Sequence, residues 1–212
     1  MDISNQIDEV LAKHKGLIYH LEEDALSGEL VLPEGDSYEI RIVLEQYPQF
    51  FPMVYETGGR IPVKMDRHMY TDTGSCCFTT SAKSQILLKT KITSLLKFVD
   101  EIVVRYLENN SFYEINGKYC YGEYNHGSMG IVQSYQDILG ITDIKIIGRL
   151  MVQRLQNKKL RIKDLCYCNS NQSLKKCHNG LHCNNYRLFR MIDKDVLYND
   201  LHHIENLLKF NI

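Results

Sequence analysis

Apolar residues recur along this chain with two periods, and the switches between them mark its elements. In "SNQIDEVLAKH", Ile7, Val10 and Leu11 fall three and four apart, which predicts a short amphipathic helix ended near Gly16. "GLIYHLEE", "GELVLPEG" and "SYEIRIVLEQ" follow as β-branched or apolar runs divided by acidic and glycine-bearing turns, the pattern of an antiparallel meander. "YPQFFP" closes it, because each proline removes a donor from the strand ladder. "MVYETGG" reads as one further strand, and residues 57–81, rich in Gly, Thr, Ser and Asp, predict an irregular loop.

From about Ser84 to Glu108 the period changes to that of a helix. Leu88, Ile92, Leu95, Leu96, Val99, Ile102, Val103 and Tyr106 form a stripe wide enough to lie across a sheet, so one long helix is expected there. The stretch "SFYEINGKYCYGEYNHGSMG" is rich in glycine and tyrosine and predicts loop with a short hairpin. Two helices are expected over residues 130–157 with a break near Gly140. The last helix, "DVLYNDLHHIENLLKF", turns Val196, Leu197, Leu201, Ile204, Leu207 and Leu208 inward. The element order is that of an α+β protein: a domain over residues 1–128, then a helical region over 129–212.

Composition narrows the function classes. With 44% apolar and 24% charged residues, the 212-residue chain is an ordinary globular sequence able to bury a core. Its 25 basic and 26 acidic side chains leave a net charge of −1, so no global field draws it onto nucleic acid or an anionic membrane. The N-terminus lacks the basic start and apolar run of a signal peptide, and no window approaches a membrane span. A cytoplasmic protein is expected, and its seven cysteines are then expected to be reduced.

Those cysteines fall into two settings. Cys76 and Cys77 are adjacent in "DRHMYTDTGSCCFTTS", nine residues after His68 for the second of them. The pair could be core, metal clip, disulfide or nucleophile. Its flanks, Gly74, Ser75, Thr79 and Thr80 with Asp66 and His68 upstream, are polar and offer backbone amides, which suits a partly exposed thiol and a developing oxyanion. Alternate side chains of extended chain point to opposite sides, so one cysteine should face inward and the other out.

The order of helix, meander, tyrosine–proline bend, histidine, glycine-bounded cysteine and helix resembles a ubiquitin-conjugating enzyme over about residues 1–110. "YPQFFP" is similar to that family's "YPxxPP" bend, "RHMY" stands where it has "HPN", and "GSCCF" where it has "GxICL". The resemblance implies a ubiquitin-conjugating-enzyme-like fold with Cys77 as the thioester-forming nucleophile, Cys76 in the buried position and His68 as a further catalytic residue. Tyr70 stands in place of the asparagine that supports the oxyanion. His68, Tyr70, Asp66, Tyr124, Asn125 and His126 are the candidates to replace it.

"FPMVYETGGRIPVKMDRHMYTDTGSCCF" with "YGEYNHG" is similar to the bacterial conjugating-enzyme-like proteins of short type II anti-phage signalling operons. That resemblance implies a partner, a cyclic GMP-AMP synthase-like nucleotidyltransferase whose C-terminal glycine is joined to target amines. The partners are then proteins, with neither nucleic acid nor membrane. A catalytically inactive scaffold for the same partner is the alternative. A zinc-dependent nucleic-acid-binding protein is disfavoured by the neutral charge.

The second setting is "CYCNSNQSLKKCH", residues 166–178. Cys166, Cys168, Cys177 and His178 are four soft ligands in thirteen residues and suit a closed, tetrahedral, structural Zn2+ site. The stretch resembles the SEC-C zinc module, with Tyr167 in place of its proline and Asn169 in place of its glycine. His182 and Cys183 lie close enough to serve as alternative ligands, Cys183 reading rather as a structural cysteine.

Overall fold

The antiparallel sheet forms where the alternation predicts it. In the computed structural model, which describes residues 2–120 and 125–210 with side chains to 207, the strands are β1 (Leu17–His20), β2 (Ala25–Val31), β3 (Ser37–Val43) and β4 (Met53–Glu56). They pair antiparallel in the order β1-β2-β3-β4. Register sets Leu26 opposite Ile42, Leu30 opposite Tyr38, and Ile42 opposite Val54, and all of these are buried. A slip of one residue would turn that whole set to water, so burial of one face fixes the pairing. The fold is α+β, with seven helices among the described residues.

Helix α1 (Ile3–Lys13) buries Gln6, Ile7 and Val10. Gln6 is a polar anchor in that apolar seam: its Oε1 accepts from the Tyr47 hydroxyl and from the backbone N–H of Leu95, both at 2.8 Å.

The single helix expected over 84–108 is two helices. Helix α2 spans Ser81–Thr90. Helix α3 runs without interruption through Leu95–Phe98, a π turn at Val99–Val103, and Val104–Asn116. Ser94 makes the break possible, since its hydroxyl caps α3 by accepting the Lys97 N–H at 3.3 Å while Gln6 takes that of Leu95. At the other end α3 extends past Glu108, so residues 111–116 are helical rather than loop. Gly117, at φ 66°, ends it in the left-handed conformation that glycine adopts without penalty.

Polar contacts hold that extension. The Ser111 hydroxyl donates to Asp36 at 2.6 Å, Arg60 pairs with Asp36 at 2.8 Å and with Glu114 at 2.7 Å, and its guanidinium lies 4.0 Å above the Tyr38 ring. The Arg60 and Ser111 donors hold the Asp36 carboxyl down to about 2. Its stabilisation is therefore present above the unfolded value of roughly 4 and is lost as pH falls through 4 toward 2. The side chains are partly open to water, which keeps the effect modest. We expect the urea midpoint to fall between pH 6 and pH 3 in the native protein, and by less in Asp36→Asn.

The chain divides into two units: Met1–Thr79 with Leu87–Glu123, and Thr80–Ile86 with Tyr124–Ile212. The division is interleaved, in contrast to the single cut after residue 128 that the sequence suggests. The reason is that Ala82 and Ile86 pack in the second unit's core. That core is built by α4 (Gly127–Leu139), α5 (Ile144–Leu155), α6 (Leu181–Phe189) and α7 (Lys194–Phe210).

Gly140 ends α4, and Asp143 caps α5 by accepting the N–H groups of Lys145 and Ile146. On α7 Leu197, Leu201 and Ile204 are buried and Val196 and Leu207 partly so; the Leu208 side chain lies outside the described residues. Two polar links cross this core, Tyr135 donating to Asp200 at 2.8 Å and Gln85 exchanging hydrogen bonds with Asp193 at 2.8 and 2.9 Å. Among the described residues no helix is long and apolar enough to cross a membrane.

Candidate functional site

The loop after β4 is less irregular than its composition suggests. A 3-10 turn at Met65–Arg67 leads to His68, whose φ of 51° turns the chain, and Met69 then bridges Cys76 antiparallel. Around that bridge Tyr70 N–H donates to Ser75 O at 2.8 Å, Cys77 N–H to His68 O at 2.7 Å and Gly74 N–H to Tyr70 O at 2.7 Å. Gly74 sits in the turn at φ 73°, a conformation that side chains with a Cβ rarely take. Residues 68–77 thus form a small closed hairpin, and Cys76 N–H ties it to β4 by donating to Val54 O at 2.7 Å.

Pleating decides where each cysteine goes. Cys76 shares a face with Met69, and both are buried in the first unit's core. Cys77, one residue on, is only partly buried. Burial pushes the Cys76 thiol up to about 12, so it stays protonated and inert. Burial also raises the Cys77 thiol, with the influence of Tyr70 offsetting part of the penalty. The next residue, Phe78, is wedged between Phe98 at 5.7 Å and Tyr106 at 5.1 Å, which fixes the hairpin's exit.

Helix α3 grips the hairpin's entry. The Tyr106 hydroxyl lies 3.2 Å from Arg67 O, 3.0 Å from His68 O and 3.1 Å from Met69 Sδ. Arg67 is buried with its guanidinium 4.4 Å from the Tyr113 ring centroid, and its Nη2 donates to Asn110 at 2.9 Å. His68 therefore meets Cys77 through its carbonyl, while its ring packs edge-on against Tyr119 at 5.2 Å. Asp66 offers its own carbonyl to the Tyr119 hydroxyl at 3.1 Å. Asn125 and His126 precede α4 in the second unit, where Asn125 N–H donates to Gln133 Oε1 at 2.8 Å. Tyr124 lies outside the described residues.

In the second unit three cysteines and a histidine converge, and the histidine is not the one expected. The ligand atoms of Cys166, Cys168, Cys177 and His182 all lie within 4.8 Å of one another. Cys168 and Cys177 sulfurs are 3.3 Å apart, and His182 Nδ1 is 3.3 Å from Cys166 Sγ and 3.6 Å from Cys177 Sγ. A tetrahedral ion with metal–sulfur bonds near 2.3 Å would set such atoms about 3.5–3.8 Å apart, so the four fit a metal ion. A disulfide needs sulfurs at about 2.05 Å, which the 3.3 Å separation excludes.

The knuckle is shaped by backbone that few residues tolerate. Asn169 and Asn171 have φ of 61° and 59°, conformations that asparagine accepts better than other residues with a Cβ, which accounts for Asn169 where the resembled module has glycine. The Leu165–Ser173 bridge and the Cys166 N–H bond to Gln172 O at 2.8 Å close the loop. His178 and Asn179 are then left-handed, at φ 47° and 53°. That kink leaves His178 exposed and outside the ligand group, its ring 4.2 Å from that of His182.

His182, the second residue of the following helix, is 3% exposed and stacks on Tyr167 at 5.0 Å. The Tyr167 hydroxyl in turn donates to Leu139 O at 2.7 Å. The expected set of Cys166, Cys168, Cys177 and His178 is thereby corrected at its last member. Cys183 is half-buried against the core, outside the ligand group.

Compared with protein-family models, curated proteins and solved structures, the chain matches none. What it can do therefore has to be argued from these two sites. Burial pushes the Cys166 thiol up and opposes ionisation at Cys168 as well, yet donors from Ser170 and Cys177 hold the Cys168 thiol well below the usual range. A thiolate among neighbouring thiols and one imidazole is the donor set of a soft or borderline cation.

Proposed function

We propose that the protein is a conjugating enzyme of the ubiquitin-conjugating kind, in which Cys77 carries an acyl group as a thioester and passes it to an amine. One observation carries the reading: of two adjacent cysteines on a hairpin pinned to the sheet, Cys76 is sealed in the core and Cys77 stands partly open. The order of helix α1, the four-stranded meander and helices α2 and α3 supports the reading. The donor is a cyclic GMP-AMP synthase-like nucleotidyltransferase with a C-terminal glycine, and the setting is cytoplasmic anti-phage defence. Protein amines are the targets; nucleic acid and membrane have no part. His68 serves as a further catalytic residue.

In the same reading the ion at Cys166, Cys168, Cys177 and His182 is zinc. Three thiolates and an imidazole close the tetrahedron and leave no position for substrate, so the metal orders the knuckle and takes no part in chemistry.

The test is to supply the nucleotidyltransferase with its C-terminal glycine as an activated thioester, so that the Cys77 sulfur displaces a thiol, then to separate without reductant and identify the adduct by mass spectrometry. We expect a thiol-sensitive adduct joining the Cys77 peptide to the partner's terminal glycine. It should vanish in Cys77→Ala and persist in Cys76→Ala. Because burial raises the Cys77 thiol, its thiolate fraction grows with pH, and adduct formation should accelerate steadily from pH 7 to 9. The raised thiol also favours a second reading, an inactive scaffold for that partner. Unchanged binding by Cys77→Ala, with no adduct at any pH in the native protein, would establish the scaffold instead.

A further inference from the structure

The metal group forms part of the wall of a cavity of about 540 Å³ in the second unit. Cys168, Asn169, His178 and His182 line it together with the turn that joins α4 to α5. His182 is 3% exposed, and its two ring nitrogens face different surroundings. Nδ1 lies at the Cys166 and Cys177 sulfurs, whereas Nε2, on the far edge of the ring, has no hydrogen-bond partner among the described residues. That edge faces Gly140: a methyl group there would stand 3.6 Å from Nε2 and 2.7 Å from the Asn185 side-chain nitrogen. Glycine, at φ 67°, thus ends α4 and keeps the imidazole edge open to the cavity. A histidine that gives Nδ1 to a metal carries its proton on Nε2, and such protons are nearly always donated to a carbonyl, a carboxylate or water.

Charge narrows the acceptor. No lysine or arginine lines the cavity, whereas Asp137 and Asp143 do. Asp137 lies 2.9 Å from Lys83, and Asp143 uses only Oδ1 to cap α5, at 2.8 and 3.2 Å from the N–H groups of Lys145 and Ile146. An anionic ligand would be repelled here, so a neutral carbonyl suits His182 while a cationic group suits Asp143. Ile141 and Ile146 offer apolar surface to an aliphatic stem between them. We propose that the cavity binds a short basic peptide segment, whose main-chain carbonyl accepts from His182 Nε2–H and whose cationic side chain lies at Asp143. The site rests on the metal, which fixes the His182 tautomer, and is independent of the conjugation reading of Cys77. The left-handed turn that takes His178 out of the ligand group sets it in the cavity wall instead.

The experiment titrates the zinc-loaded, isotope-labelled full chain with acetyl-Gly-Lys-Gly-amide and follows the Gly140, Thr142 and Asn169 amides and the His182 Nε2 proton by NMR. We expect all four signals to move to saturation, the ring proton downfield as the carbonyl takes it. The norleucine peptide keeps the carbonyls and loses the charge, so it should bind about fivefold more weakly, and the glutamate peptide more weakly still. Asp143→Asn retains a residue that caps helices well and removes the charge. It should bind the lysine and norleucine peptides to within about twofold of each other at unchanged zinc content. Unmoved amides, an unmoved ring proton, equal affinity for the lysine and glutamate peptides, or an undiminished lysine preference in Asp143→Asn would each overturn the site. So would a native chain that takes up no zinc, whatever became of Cys77.

Discussion

We expect His182→Ala and Cys177→Ser to abolish metal binding and unfold the knuckle, and His178→Ala to bind one ion per chain. The asymmetry follows from the ligand group, in which His182 Nδ1 lies 3.3 and 3.6 Å from two of the sulfurs and His178 is excluded by its left-handed backbone. The expected loss is large because a closed zinc site contributes on the order of 10 kcal/mol to ordering a small domain. Here the ligands are also core: Cys166, Cys177 and His182 are all buried, and Tyr167 and Leu174 pack in the same cluster. Metal content after dialysis and thermal melting of the full chain measure both effects. Retention of the ion by His182→Ala together with its loss from His178→Ala would restore the ligand set that spacing alone suggests.

The second large effect is expected at Phe98, far from either set of reactive groups in sequence. Phe98→Ala should cost about 3–5 kcal/mol, the usual range for removing a fully buried aromatic side chain. Its ring is 0% exposed, 5.0 Å from Phe51 and 5.7 Å from Phe78, so the cavity would open against the bend that follows the sheet and against the residue after Cys77. Urea denaturation reads the stability. Ile115→Ala on the same helix is the control, since Ile115 is 84% exposed and its loss should change stability by at most about 0.5 kcal/mol. A cost at Phe98 below about 1 kcal/mol would mean that the hairpin's exit is not held by these rings.

Much of the sheet was legible because alternation is a local signal with one good solution. The runs at residues 17–20, 25–31, 37–43 and 53–56 each carry their own period, and the proline bend marks where the meander must stop. The opposed fates of Cys76 and Cys77 were legible for the same reason, since neighbours in extended chain face opposite ways. Helix α3 was legible as a stripe but not in its limits. Its start depends on Gln6, in another helix, taking the Leu95 N–H, and its last turns depend on Asp36 and Arg60, which are remote in sequence.

The metal group shows the boundary most clearly. The sequence alone determined that Cys166, Cys168 and Cys177 would meet with a histidine, which its spacing placed at His178, because soft ligands so closely spaced have few other uses in a reduced chain. Which histidine completes the group was decided by the tertiary structure. Two histidines four residues apart look equivalent on a helix, but a left-handed kink at His178 and Asn179 breaks that equivalence, and burial against Tyr167 holds His182 at the sulfurs. Backbone handedness at two non-glycine residues is a small preference locally, and only the packing of the knuckle against its core could settle it.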